Sequence, residues 1–160
     1  MKPYQKGMDL KGGCMRITQE ADYAIRIVSL LAQKGLLGAP EMSDNVKVPQ
    51  GFAMKILRKL TSEGIVRSKR GVNGGYELLK KPEELTVADI IEAIDGEIAI
   101  SKCLLSTHDC LNNPDKSRCR YHNVFASVNR IIKERLSRLT IKMMVDANIP
   151  TEELIKIINN

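Results

Sequence analysis

The stretch over residues 49–79 constrains the fold most, because its apolar spacing switches once, from helical to strand-like, around a cluster of glycines. Phe52, Ala53, Ile56, Leu57 and Leu60 recur at helical intervals, while Lys55, Arg58 and Lys59 fill the positions between them. This spacing predicts an amphipathic helix over 49–63. Pro49 suits a first helical position, and Gly64 stands where a C-terminal cap is expected. Residues 65–70 and 76–79 then read as two short strands. Between them lies Gly71-Val72-Asn73-Gly74-Gly75, whose glycines and asparagine tolerate the positive φ of a hairpin turn.

The rest of the chain supplies helices to pack against this unit. Ala21, Ala24, Ile25, Val28, Leu31 and Ala32 predict a helix reaching about Lys34, with Thr18 as its N-cap. A shorter helix is expected over 39–46, before Val48-Pro49 breaks the chain. Three helices with a break between the last two suggest a helix-turn-helix, with the hairpin as its wing. Thr86 and Asp89 form a capping-box pattern that opens a helix through Ala93, ended by Gly96. Periodicity disappears over 103–119, where Asn112-Asn113-Pro114-Asp115 is turn chemistry. It returns with Val124, Val128, Ile131, Ile132, Leu136, Leu139, Met143 and Met144, which predict a helix from about Arg120 to Val145 of roughly seven turns. So long a helix needs a partner. One more short helix is expected after Pro150.

The fold class is therefore mainly α with a small β-hairpin: a winged helix-turn-helix domain plus a long C-terminal dimerisation helix. The expected divisions are a leader at 1–14, the winged-helix domain at 15–82, a connecting helix and linker at 83–102, a cysteine loop at 103–119, and the dimerisation helix with its tail at 120–160. The leader shows no apolar periodicity and precedes a second methionine, Met15, so it and Cys14 are set outside the fold.

At 160 residues and 43% apolar, the chain can bury one core with an appended element. Its charge is unevenly distributed: residues 1–82 sum to +8 and residues 83–160 to −2. The basic surface thus belongs to the N-terminal half and suits a partner carrying phosphates. There is no run of about 18 apolar residues that could span a membrane and no apolar secretory segment, so a cytoplasmic location is expected. No nucleophile has an obvious base, and the 71–75 glycines lack the strand-to-helix context and Gly-Lys ending of a phosphate loop. The chain is not expected to be an enzyme.

A helix presented to double-stranded DNA needs side chains near its start that reach bases and phosphates, backed by an apolar face. Gln50 can donate to and accept from a base. Lys55 and Lys59 stand one turn apart for phosphate contact, and Phe52, Ile56 and Leu60 anchor the buried side. Lys69 and Arg70 flank the wing tip, where an arginine can enter a narrow minor groove. Thr18 and Pro49, at the starts of their helices, complete the candidate DNA-contacting set of Thr18, Pro49, Gln50, Phe52, Lys55, Lys59, Lys69 and Arg70. An ordinary solvated basic face is the plainer alternative.

Cys103, Cys110, Cys119 and His122 place three thiols and an imidazole in one unpatterned stretch. Thiolates suit zinc and iron–sulfur clusters, and three of them leave one ligand position open. The spacing matches neither zinc-knuckle pairs nor ferredoxin runs. Zinc, a thiol-based sensor or free buried cysteines remain alternatives, and His108 reads as solvated loop.

Several motifs together resemble the IscR/NsrR/CymR regulator family. They are Met15-Arg16-Ile17-Thr18 with Asp22-Tyr23-Ala24, Leu57-Arg58-Lys59-Leu60 before Gly64-Ile65-Val66, the Arg70-Gly71-x-x-Gly74-Gly75-Tyr76 wing, and three cysteines ahead of a long helix. The resemblance runs from Met15 to about Val145. It implies a homodimeric DNA-binding transcriptional regulator, in the main a repressor, at a pseudo-palindromic operator. Cys103, Cys110 and Cys119 would hold an iron–sulfur cluster, 2Fe–2S favoured and 4Fe–4S possible, that senses iron–sulfur status, redox or nitric oxide. Likeness to IscR implies His122 as fourth ligand; likeness to NsrR implies Asp22 from the other subunit. The cysteine spacings, with six and eight intervening residues, are longer than the family more often has. A cluster-carrier or electron-transfer protein is the competing function, as is a DNA-binding regulator with a zinc or thiol-based sensory loop.

Overall fold

A computed structural model describes residues 17–71, 74–108, 110, 112 and 115–160. The leader expected at 1–14, with Cys14, lies outside them, as do Val72 and Asn73 of the turn. Helix α1 (Gln19–Lys34) begins at Thr18, whose side chain accepts from the Ala21 N–H and satisfies one of the orphan donors of the first turn. Helix α2 (Ala39–Val46) ends in a left-handed Lys47 at φ 59°. Ser43 and Val48 then bond reciprocally, backbone to backbone and hydroxyl to carbonyl, which fixes the turn into α3 (Gln50–Ser62). This α2–α3 pair is the expected helix-turn-helix.

Strands β1 (Val66–Lys69) and β2 (Gly75–Leu78) form the antiparallel wing, with Arg67 opposite Glu77 and Lys69 opposite Gly75. The wing is tied to the helices at its base: Leu37 and Tyr76 exchange both backbone hydrogen bonds. Gly75 makes this possible, since a Cβ there would collide with the Leu37 carbonyl. Helix α4 (Val87–Asp95) carries the expected capping box, Thr86 with Asp89.

One core joins these elements. Ala24, Ile27, Val28 and Leu31 of α1 meet Ile56, Leu57 and Leu60 of α3 and Ile90 and Ile94 of α4, with Ile65, Val66 and Leu85 between them. Complete burial of an aliphatic side chain is worth about 1.5–3 kcal/mol, so α3 is held rigidly along one face and leaves the other to solvent.

The long C-terminal helix differs from expectation. Helix α5 (Arg120–Ser137) is shorter, and after a break the chain continues as α6 (Ile141–Val145), then α7 (Thr151–Asn159). The apolar stripe passes through the break without interruption, and the interruption comes from tertiary bonding. Leu139 accepts from Val87 N, Ile141 donates to Leu85 O and Lys142 to Pro82 O, pinning 139–142 alongside the entry to α4. Thr140 caps α6 by accepting from Met143 N. Leu139 and Ile141 are thereby buried in the core of the head, the unit formed by α1–α4 and the wing.

Candidate nucleic-acid interface and cysteine loop

The basic residues of α3 divide into two kinds. Lys55 and Lys59 lie one turn apart, as expected, and both reach back to Glu20 of α1, at 3.2 Å and 3.0 Å. The Lys59 contact is an ion pair without hydrogen-bond alignment at Oε1. Lys59 also donates to the Ile94 carbonyl at the end of α4, 3.1 Å away. Burial alone would raise the Glu20 pKa, but the contacts with Lys59 and Lys55 outweigh it and hold the carboxyl below the ordinary glutamate value. Arg58, by contrast, is exposed and carries no ion pair among the described residues. Sequence reasoning counted it only as part of a polar face; its distinction from Lys55 and Lys59 depends on Glu20, which is remote in the chain.

At the start of α3, Pro49 and Gln50 are exposed, Gln50 at the first helical position. Phe52 is half-buried, edge-on to Tyr23 with ring centroids 5.9 Å apart, and Lys55 Nζ lies 5.8 Å from its centroid. Thr18 is committed to structure: besides capping α1, its hydroxyl donates to Asp95 at 2.6 Å and its N–H to the same carboxylate.

In the wing, Arg67 donates to Glu77 at 2.6 Å and Lys69 pairs with the other oxygen at 3.1 Å, which lowers the Glu77 pKa through Lys69 first and Arg67 second. Arg70, beyond the strand, is exposed and has no ion pair among the described residues.

The described residues of the cysteine loop include two single 3-10 turns, Lys102–Leu104 and Lys116–Arg118. Cys103 sits in the first, its Sγ 3.3 Å from Ser101 Oγ. Cys119 follows the second and occupies the N-cap position of α5, so His122 lies in the helix's first turn. Cys110 lies between, and all three thiols are free and half-buried. Three hydrogen bonds from two side chains anchor the loop's approach: Asn129 of α5 accepts from Ile100 N and donates to Ile98 O, and Glu97 accepts from Ser106 N. The Ser106 amide holds the Glu97 carboxyl below its ordinary value.

Among the described residues, no three His, Cys, Asp or Glu side chains are gathered closely enough to hold a metal ion. The donor chemistry nevertheless suits a thiophilic centre. His122 Nδ1 is buried without a hydrogen-bond partner among the described residues, an arrangement that costs free energy unless something occupies it. Asp22, the other candidate, is half-exposed on α1 and bonded by Arg26 Nε at 2.9 Å and Nη2 at 3.3 Å. It faces an open groove shared with Ile25, Ser29, Leu30 and Met144. Among the described residues no helix is long and apolar enough to cross a membrane.

Comparison with known proteins agrees with this architecture. Residues 17–147 match the profile of the Rrf2 family, described as iron-dependent transcriptional regulators. An rrf2-like HTH-type transcriptional regulator of Rhodobacter capsulatus is 32% identical over 88% of this chain and 99% of its own length. The IscR regulator of Aliivibrio salmonicida is 29% identical over 82% of this chain and 79% of its own. The structure of CymR, the global cysteine regulator of B. subtilis, superposes with a TM-score of 0.65 over 82% of this chain and 96% of that one, at 23% identity, a likeness of fold. The motifs of the wing and the three helices thus carried a true resemblance, and the winged-helix fold with its hairpin is borne out. The chain belongs to the Rrf2 family and is a transcriptional regulator, not an enzyme.

Proposed function

We propose that this regulator binds a pseudo-palindromic operator as a homodimer and acts as a repressor. Its affinity is set by an iron–sulfur cluster, 2Fe–2S in preference to 4Fe–4S, on Cys103, Cys110, Cys119 and His122. The observation that carries the sensory part is the buried, unpartnered Nδ1 of His122, in the helical turn that follows Cys119. Asp22 is the weaker fourth ligand because Arg26 already occupies both carboxylate oxygens. Homodimerisation is supported by α5, whose Tyr121, Val124, Phe125, Val128, Ile131 and Ile132 are all exposed in the single chain.

A bound cluster would supply a centre that responds to iron supply, oxidation or nitric oxide. The chain's own residues supply the link to DNA. Asn129 clamps residues 98 and 100, just after α4 and just before Cys103. The C-terminal end of α4 in turn holds Lys59 of α3 through the Ile94 carbonyl and the start of α1 through Asp95 and Thr18. Rearrangement of the loop therefore bears on the end of α4, which positions two helices of the head at once.

The test is iron, sulfide and zinc content with absorption and EPR spectra of anaerobically isolated protein. A gel shift against the DNA upstream of its own gene, with apo and reconstituted protein, accompanies it. Iron with acid-labile sulfide, lost in Cys110→Ser and depleted in His122→Ala, is expected, together with state-dependent binding. Zinc alone, or binding indifferent to the metal, sinks the sensory reading. Retention in His122→Ala with loss in Asp22→Ala transfers the fourth ligand to the partner subunit's Asp22. In the wing, Arg70→Ala should cost about 1–3 kcal/mol of operator affinity by titration; no loss would remove the wing from the interface.

A further inference from the structure

The basic residues of the two DNA-binding elements follow one arrangement. In α3, Lys55 and Lys59 converge on Glu20, whose side chain is only 16% exposed. In the wing, Arg67 and Lys69 converge on Glu77, 18% exposed. Each carboxylate is flanked by two cations, so each group of three presents a single net positive charge. Arg58 and Arg70, one in each element, have no such partner among the described residues. In neither case is the carboxylate explained by core packing: Glu20 ties α1 to α3 through the hydrogen bond from Lys55 and the ion pair with Lys59, and Glu77 is the cross-strand neighbour of Arg67.

Attraction to phosphate is independent of sequence and raises affinity for all DNA alike, whereas base contacts discriminate. A cation already sharing a carboxylate gains less from a phosphate and releases fewer counterions. From these observations we propose that Glu20 and Glu77 are specificity-determining residues. By keeping Lys55, Lys59, Arg67 and Lys69 in internal ion pairs, they restrain non-specific binding and leave affinity to Arg58, Arg70 and the base contacts of α3. The inference rests on the DNA-binding reading and extends it to residues that touch no DNA themselves.

The experiment is a salt series on the full-length protein with a fluorescent 30-base-pair duplex of arbitrary sequence, for wild type, Glu20→Gln and Glu77→Gln. Each variant should bind this duplex several-fold more tightly near 0.1 M salt. The slope of log K against log salt should steepen by about 0.9 for every additional phosphate neutralised. An unchanged or shallower slope overturns the proposal. Because Glu20→Gln also loosens a contact between α1 and α3, a second comparison avoids that contact's removal from the acidic side. Arg58→Gln should flatten the slope more than Lys55→Gln does, and equal losses would overturn the proposal as well. If neither the wild type nor either variant binds this duplex or the DNA upstream of the protein's own gene at any salt, the DNA-binding reading itself fails, an outcome distinct from binding that ignores the carboxylates.

Discussion

Two amphipathic helices, α3 and α5, fare differently within one protomer. Helix α3 completely buries Ala53, Ile56, Leu57 and Leu60 within 13 residues, while α5, at 18 residues, buries none. The first is a part whose position the protomer fixes by itself. The second also carries an apolar stripe but packs chiefly against α4, the cysteine loop and α7 among the described residues, with Tyr121 76% and Val124 59% exposed. An apolar stripe thus marks where burial is needed and leaves open whether the same chain supplies it. Here the head is complete in one chain, and the C-terminal half, where the cysteine loop leads into α5, leaves an apolar stripe exposed.

The sharpest test of that contrast is a matched pair of truncations. Leu57→Ala should cost about 2–5 kcal/mol in chemical denaturation, since a fully buried leucine leaves a cavity the surrounding core cannot close. Ile131→Ala, at a half-exposed position, should leave the fold of the protomer within about 0.5 kcal/mol of wild type. If both cost the same under conditions where the protein is monomeric, the division between a self-sufficient head and an unpartnered α5 is wrong.

Placing charge on the stripe probes the same difference from the other side. Val128→Asp should shift the protein to monomers in sedimentation velocity, through a loss of about 2 kcal/mol or more in association, with the far-ultraviolet circular dichroism of the head unchanged. A variant that stays dimeric would move the proposed two-fold seam away from α5. Smaller again is the effect expected at the joint between the two regions. Asn129→Ala removes the partners of the Ile100 N–H and the Ile98 carbonyl, both half-buried, and should cost about 1–2 kcal/mol. It should also speed amide exchange at Ile100 without altering exchange in α3. Unchanged exchange at Ile100 would show that Asn129 does not hold the approach to the cysteine loop.

These regions also differ in how far they can be read from sequence. The limits of α1, α2, α3 and α4 were legible because their determinants are local: Thr18 as a cap, Pro49 after a break, Thr86 and Asp89 three residues apart. The end of α5 was not, because Leu136, Leu139, Met143 and Met144 continue the helical spacing through a point where backbone pairing with residues 82–87 stops the helix. Thr140 was the only local sign, and a threonine within a helical stripe is common enough to pass unnoticed. In the candidate interface, the positions of Lys55 and Lys59 were legible from their spacing. Their attachment to Glu20, 35 residues or more away, was not, since long-range charge pairing leaves no periodic trace. The three cysteines were conspicuous by chemistry, yet whether the loop gathers them depends on packing that no spacing encodes.

The smallest predicted effect separates the head from the loop by acid titration. Glu20 has a folded-state pKa below its ordinary value, because Lys59 and Lys55 favour the carboxylate more than burial opposes it. A carboxyl lowered in this way adds stability that is fully present above the unfolded-state value. That contribution fades as pH falls below this value and through the lower folded one. Between neutral pH and pH 3 the melting temperature of wild type should therefore fall more steeply than that of Glu20→Gln, the two curves being separated at neutral pH and converging on the acid limb. Glu97 is lowered too, by the amide of Ser106, but it is exposed and steadies the approach to the cysteine loop. Glu97→Gln should leave the acid limb of global unfolding close to wild type. A flattening as large as that from Glu20→Gln would mean that the loop unfolds together with the head and that the two regions form one cooperative unit.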